Sequence, residues 1–334
     1  MPRVSVLMPA WNSMPFLPDA VQSILNQTYA DFEFIIVDDC STDETQSYLE
    51  TLTDPRIVIL RNERNLGCTK SLNVGLRECH GEIICRMDAD DISLPQRLEL
   101  QIAEFDRRPD LICCGTQMQE FSGEAYSAVP TEDENIRTAL LYSTPIMHPT
   151  ACFKRCTPLG EQLFYDETFA AAQDAEFWFR LSALGKMKNL DKSLLVRRRH
   201  DQQISNRNHS EQLQTTRLVC RKVLERDYKI NATEADLDCI LFPATCSTLQ
   251  SVLFLGEIIR RGKNKRPLHS KYGPAIFGFW KSQFVNQPAF AITLALRHLI
   301  HVTKFVALPW IKAKSCPRFL KSAEFSIVAT FTAL

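Results

Sequence analysis

Four groups of residues in this 334-residue chain have types and spacing suited to chemistry. Asp38 and Asp39 stand in tandem where the apolar run Phe32 to Val37 ends, with Ser41 and Asp43 close behind. A carboxylate there can accept from a base imide N–H or from ribose hydroxyls. Capping of a following helix by a Ser41–Glu44 capping box explains Ser41 but not two consecutive acids. The second group, Asp88-Ala89-Asp90-Asp91, also closes an apolar run. Residues i and i+2 of an extended chain share a side, so Asp88 and Asp90 face one site while Asp91 faces away or turns with the loop. Two hard oxygen ligands suit Mg²⁺ or Mn²⁺ holding a diphosphate, and carboxylates this close repel without a cation. Asp174 opens a predicted helix over 173–184, as a first-turn acid favoured by the helix dipole or as a general base. Arg197-Arg198-Arg199-His200 supplies a histidine for metal or phosphate, and three arginines for phosphates or for a solvated strand edge.

These groups need a frame that brings them to one place. Val4 to Met8, Phe32 to Val37, Arg56 to Leu60 and Glu82 to Met87 are β-branched or apolar runs, alternating with helical spacing over 18–27, 41–52 and 71–79. That rhythm predicts a doubly wound, mostly parallel α/β sheet with its ligands beyond the carboxyl ends of the strands, which is where both acidic clusters lie. A helix over 95–107 and a strand over 111–118 follow, then an irregular stretch from 121 to 166 and the helix at 173–184. No Walker loop and no G-x-G-x-x-G stands at a strand–helix turn, so phosphate charge needs another device, and a metal is that device.

Composition bounds the rest. The chain carries 39 Lys+Arg against 39 Asp+Glu and is 45% hydrophobic, a globular balance that points to no nucleic-acid partner. Its twelve cysteines are scattered without a C-x-x-C pair, which favours a reducing, cytoplasmic setting over a disulfide framework. The start has one basic residue and only five apolar residues before Pro9, unlike a secretory signal. After about residue 209 the strand signal is lost. From Ile258 onward there are 13 Lys+Arg and one acid, Glu324, among apolar aromatic segments (Phe277, Phe279, Trp280, Phe284, Phe305, Trp310). The uncharged run 282–296 is too short to span a bilayer, but the region suits an anionic membrane surface, as a peripheral contact at the inner face of the plasma membrane, or a helical cap on the catalytic body.

The segments VSVLMPAWN (4–12), FEFIIVDDCSTDET (32–45), RNLGCTKSLNVGL (64–76), GEIICRMDADDISLPQRLELQI (81–102), AAQDAEFWFRLS (171–182) and RRRHDQQIS (197–205) resemble, in this order, family 2 of the glycosyltransferases. The resemblance covers roughly residues 1–205. It implies the GT-A fold and an inverting enzyme of the bacterial surface-polysaccharide type. The catalytic domain would be 1–209, with a nucleotide-sugar half about 1–118 and an acceptor half about 119–209, followed by a mainly helical, basic region 210–334. Carried over by position, Pro9, Ala10, Asn12 and Asp39 would surround the nucleotide, with Asn65, Lys70 and Asn73 nearby. Asp88 would approach the ribose and Asp90 the metal, Mn²⁺ or Mg²⁺. Asp91 is the next metal candidate, and His200 a further metal or diphosphate contact. Asp174 matches the family's catalytic base.

Two positions depart from the pattern. Gln173 stands where many relatives carry Glu, which removes an acid from the acceptor side. Lys70-Ser71-Leu72-Asn73 stands where many have a small residue followed by Arg-Asn. The implied reaction moves a hexosyl or N-acetylhexosaminyl group from a nucleoside-diphosphate sugar, a UDP-sugar first, to a hydroxyl of a glycan or lipid-linked acceptor. A sugar nucleotidyltransferase, or a non-catalytic sugar-nucleotide-binding protein, are the competing readings. The sequence assigns no donor sugar, linkage or oligomeric state.

Overall fold

The computed structural model describes residues 1–124, 126, 128–169, 171–200, 209–243, 249–262, 267–268 and 270–272. The chain divides into two compact units, Met1–Asn231 and a second that begins at Ala232.

The first unit is built on an eight-stranded sheet of order β3-β2-β1-β4-β7-β6-β8-β5. Strand β1 (Val4–Ala10) pairs in parallel with β2 (Phe32–Asp38) and β4 (Ile83–Arg86), and β2 pairs in parallel with β3 (Ile57–Arg61). Beyond β4 the sheet changes direction. Strand β7 (Cys152–Lys154) runs antiparallel to both β4 and β6 (Leu111–Glu120); β6 pairs in parallel with β8 (Lys186–Arg197), and the two-residue β5 (Ile92–Ser93) closes the far edge antiparallel to β8. The parallel half follows the sequence expectation. Strand β7, in the stretch read as irregular, and β8 did not stand out, because a three-residue strand carries no period and β8 alternates with lysines along an amphipathic edge.

Helices cover both faces. Val4, Val6, Met8 and Ala10 of β1 alternate into one core with Leu17, Ala20, Val21 and Ile24 of α1 (Leu17–Leu25) and Leu98, Ile102 and Phe105 of α4 (Arg97–Arg107). On the opposite face α3 (Cys68–Glu78) lies so close to the sheet that a Cβ on Gly75 would stand 2.2 Å from Leu7 Cδ1 and 2.9 Å from Val37 Cγ2. The short α2 (Thr45–Leu49) starts three residues later than the Ser41–Glu44 box predicts: Ser41 Oγ accepts from Asn12 N at 3.0 Å, and Asp43 takes over at the helix start by accepting from Thr45 N at 3.0 Å. Helices α5 (Asp133–Ala139), α6 (Gln173–Leu184) and α7 (His209–Val223) complete the unit, α7 with a final π turn over Leu224–Tyr228. The unit extends to Asn231 because α7 is fastened to the sheet body: Thr215 Oγ1 donates to Ala171 O at 2.9 Å and Arg226 to Phe179 O at 3.0 Å.

Among the described residues the scattered cysteines include one bonded pair. Cys85 and Cys152 face each other on β4 and β7 and are joined by a disulfide, although the scatter of the cysteines favours a reducing setting over a disulfide framework, because strand pairing brings together residues far apart in sequence.

In the second unit α8 (Glu234–Leu241) has a full capping box, Thr233 with Asp236, and α9 (Leu249–Arg261) ends on Glu257 paired with Arg260 and Arg261. Among the described residues no helix is long and apolar enough to cross a membrane. The aromatic and basic stretch from Phe277 to Trp310 lies outside the described residues.

Candidate active site

The carboxyl ends of β1, β2 and β4 define one wall of the site. Past β1 the chain enters a left-handed turn at Asn12 (φ 47°) and is tied to the loop after β2. Asn12 Oδ1 accepts from Thr42 N at 2.7 Å, Ser13 N donates to Thr45 Oγ1 at 2.9 Å and Met14 N to Asp43 Oδ2 at 3.1 Å. Ser41, Asp43 and Thr45 therefore shape the Pro9–Asn12 loop. Asp39 is buried and acts as a hub: its N–H donates to Ala10 O at 2.8 Å, Oδ1 accepts from Asn62 Nδ2 and Leu66 N at 2.7 Å, and Oδ2 accepts from Gly67 N at 2.8 Å. Gly67, at φ 83°, is the N-cap of α3, so Asp39 fixes where that helix begins. Asn65 and Lys70 are exposed on this loop and on the first turn of α3. Asn73 is buried with its carboxamide engaged in scaffolding: Nδ2 donates to Tyr165 O at 2.9 Å and Glu167 Oε1 at 3.0 Å, and Oδ1 accepts from Tyr165 N at 2.9 Å.

The acidic cluster follows β4. The chain turns at Ala89–Asp90, so the strict alternation of an extended strand does not hold and Asp91 joins the other two: ligand oxygens of Asp88, Asp90 and Asp91 all lie within 4.8 Å of one another. Asp88 Oδ1 pairs with the Arg86 guanidinium, Asp90 Oδ2 lies 2.8 Å from His200 Nε2, and Asp91 Oδ1 accepts from Arg198 N at 3.2 Å. Each carboxylate commits one oxygen to a neighbour and has a second to offer. Burial, then the charges of Asp88 and Asp90, pushes Asp91 well above the usual carboxylate range; burial likewise raises Asp88, outweighing the pull of Arg86. Three hard oxygen donors that cannot all ionise unaided fit a divalent cation, and His200, whose Nδ1 is buried without a hydrogen bond, stands beside them. Strand β8 delivers His200, with its ring 4.7 Å from that of Phe16 and with Arg198 lying between the rings of Phe16 and Phe121.

Arg86 received no role from its position in the sequence. It is 4% exposed at the end of β4, its Nε and Nη1 have no hydrogen bond, and its one ion pair is with Asp88. The signal was a lone cation inside the apolar run Ile83 to Met87, since a buried arginine needs partners for its guanidinium and an anion is the strongest of them. Below it Arg97 is fully buried and donates from Nε to Gln101 Oε1 at 3.2 Å and from Nη1 to Met87 Sδ at 3.3 Å.

Asp174 enters from the other wall, on the first turn of α6. Ala172, the N-cap, is left-handed (φ 53°), and Asp174 Oδ1 accepts from Ala175 N at 2.9 Å. Burial pushes its carboxyl up to about 6, against the downward pull of the Ala175 N–H and of Arg86. Asp88 also raises it, so the two carboxylates feel each other across the site. The next residues of α6 anchor it: Phe177 packs on Tyr165 (centroids 4.3 Å apart) and Phe153 (5.0 Å), and Trp178 Nε1 donates to Ile146 O at 3.1 Å. His148 Nε2 and Tyr165 Oη are 2.9 Å apart in the same layer, with burial holding the imidazole neutral. Gln173 leans on Cys68 of α3, its Nε2 3.9 Å from Sγ.

The chain matches the model of Glycosyl transferase family 2 over residues 5–159. It is 30% identical over 253 residues to a glycosyltransferase of Haemophilus influenzae, covering 72% of this chain and 78% of that protein. It is 30% identical over 191 residues to the Escherichia coli protein WcaA, named for colanic acid biosynthesis, covering 54% of this chain and 66% of the other. Among solved structures it resembles Staphylococcus aureus TarS 1-349 in complex with UDP-GlcNAc (TM-score 0.58, 19% identity, 86% of this chain and 92% of the other). It also resembles a mannosyltransferase of Pyrobaculum calidifontis in complex with GDP-Man and Mn²⁺ (TM-score 0.50, 17% identity, 90% and 86%). With the sheet order, the acidic turn after β4 and the carboxyl on α6 in place, these matches make the chain a member of glycosyltransferase family 2, built on the GT-A fold.

Proposed function

We propose that the protein is an inverting, metal-dependent glycosyltransferase that moves a hexosyl or N-acetylhexosaminyl group from a nucleoside-diphosphate sugar, UDP-linked in the first instance, to an acceptor hydroxyl. The observation that carries this reading is a half-buried carboxyl, Asp174, pushed up to about 6 and within electrostatic reach of Asp88, one of three clustered aspartates. A base with that pKa is ionised at neutral pH yet basic enough to take a hydroxyl proton as the oxygen attacks. The acceptor oxygen forms its bond to the anomeric carbon, the bond to the diphosphate oxygen breaks, the proton passes to Asp174, and the nucleoside diphosphate leaves with the electron pair.

Asp90, Asp88 and Asp91, with His200, would hold Mn²⁺ or Mg²⁺, which supplies charge neutralisation for the departing diphosphate when bound. Asp88 is kept in place by Arg86, and the loop 9–12 with Asp39 frames the nucleotide. The similar structures in complex with UDP-GlcNAc and GDP-Man support the donor class, and the resemblance to WcaA, named for colanic acid biosynthesis, supports a growing surface glycan or its lipid-linked precursor as acceptor. A cytoplasmic enzyme, peripheral to the membrane through its basic C-terminal quarter, fits such an acceptor.

Nucleotide release from a panel of sugar nucleotides, with and without Mn²⁺ or Mg²⁺, tests the proposal on wild type, Asp90→Ala and Asp174→Asn. The expected result is metal-dependent release from one donor, abolished in Asp90→Ala, with Asp174→Asn slowing transfer about 10²–10⁴-fold while nucleoside diphosphate still binds. Release of pyrophosphate, or equal turnover in Asp174→Asn, would refute it.

A further inference from the structure

The turn that projects Asp174 is gripped from two sides. Thr69, on the first turn of α3, donates from Oγ1 to Phe169 O at 2.9 Å; Thr215, on α7, donates from Oγ1 to Ala171 O at 2.9 Å, sharing its proton with Glu211 O of its own helix at 3.1 Å. Both threonines are buried, at 5% and 7% exposure. Between these carbonyls and the base stands Ala172, held in the left-handed region that a residue with a Cβ enters only when its surroundings impose it. Hydroxyls this deep are held to an acceptor: Thr69 has Phe169 O, and Thr215 divides its hydrogen between Ala171 O and Glu211 O, the former at the shorter distance.

We propose that Thr69 and Thr215 are the positioning residues of the general base: together they fix the Ala172 turn and so the place and direction of the Asp174 carboxylate. The inference rests on the transferase reading for the role of Asp174. The two grips have different origins. Thr215 ties the turn to α7. Thr69 ties it to the helix whose N-terminus Asp39 holds through Leu66 N and Gly67 N, so the same rod that borders the nucleotide side also carries the base. Asn73, one turn further along α3, extends the attachment to Tyr165 and Glu167, and Arg77 reaches Glu167 at 3.8 Å. Thr69, Asn73 and Arg77 are spaced four residues apart and so share one face of α3. That stripe is a mount for the strand of chain leading to α6, and it gives Asn73 a scaffolding task in place of a nucleotide contact.

The test compares full-length wild type with Thr69→Val, Thr69→Ser, Thr215→Val and Thr215→Ser. Valine keeps the shape and removes the donor; serine keeps the donor. Amide hydrogen exchange at Phe177 and Trp178, whose N–H groups close on the first carbonyls of α6, reads the opening of that turn without any need for turnover. The valine variants should exchange about tenfold faster there, and lose about 10- to 100-fold in kcat at unchanged donor KM, with serine restoring both. Calorimetry with UDP and GDP should give wild-type affinity throughout. Unchanged exchange in both valine variants would overturn the proposal, as would a parallel loss of nucleotide affinity, which would make Thr69 part of the binding site. If exchange responds as expected while wild type turns over no sugar nucleotide, the grip stands and the transferase reading fails.

Discussion

A carboxyl that titrates near 6 is useful to a base and costly to a fold. Asp174 binds its proton more tightly in the folded state than in the unfolded chain, where its value is the ordinary 3.8. The stability it contributes is therefore complete below about pH 4 and is lost as pH rises through 6, a loss of about 1–3 kcal/mol at neutral pH. Activity runs the other way, since only the ionised form accepts a proton. kcat/KM should rise with pH to a plateau above about 6, while Asp174→Asn should raise Tm at pH 7 and leave it unchanged at pH 4. A flat pH–rate profile across that window, or a neutral-pH Tm equal to wild type, would remove Asp174 as the titrating group. Arg86 moderates the same cost by drawing Asp174 down as burial drives it up. Its position was legible as a lone cation in an apolar strand, and its partner Asp88 stands two residues on, on the same side of the extended chain.

The parallel half of the sheet, its helices and the acidic ends of β2 and β4 could be read from period and composition, since each is a local pattern repeated. What could not be read is what distant residues do for one another. Asp39 has the type and place of a base-reading carboxylate, yet in the fold both its oxygens take backbone or amide N–H groups at the start of α3. Ser41 looks like a cap and instead receives the Asn12 N–H, because the competing partner comes from another loop. The fit of α3 to the sheet is of the same kind. Gly75 sits where a Cβ would fall on Leu7 Cδ1 and Val37 Cγ2, so Gly75→Ala must displace those packed side chains or lift the helix from β1 and β2. It should cost about 1–3 kcal/mol by urea denaturation and lower kcat more than it weakens nucleotide binding, since Thr69 of that helix holds the turn leading to the base. Wild-type stability in Gly75→Ala would mean that α3 is free to shift.

At the scale of the molecule, the charge asymmetry separates an acidic body that holds the chemistry from a basic, aromatic C-terminal quarter. The first compact unit, Met1–Asn231, takes in α7, whose hydrogen bonds to Ala171 and Phe179 join residues far apart in sequence. The proposed membrane contact predicts co-sedimentation with anionic vesicles at low salt that weakens as salt is raised, and no binding to zwitterionic vesicles. Absence of binding to anionic vesicles at low salt would refute that contact. The two edges of the sheet carry their own consequence. At one end β5 has two residues; at the other β3 has five, with Val58 and Ile59 about 40% exposed between Arg56 and Arg61. Open strands of this kind invite addition of a further chain, and the protein answers by brevity and by flanking charge. Concentrated solutions should therefore resist edge-to-edge fibre growth, and the arginines at 56 and 61 act as gatekeepers whose replacement by apolar residues would turn a five-residue margin into a template.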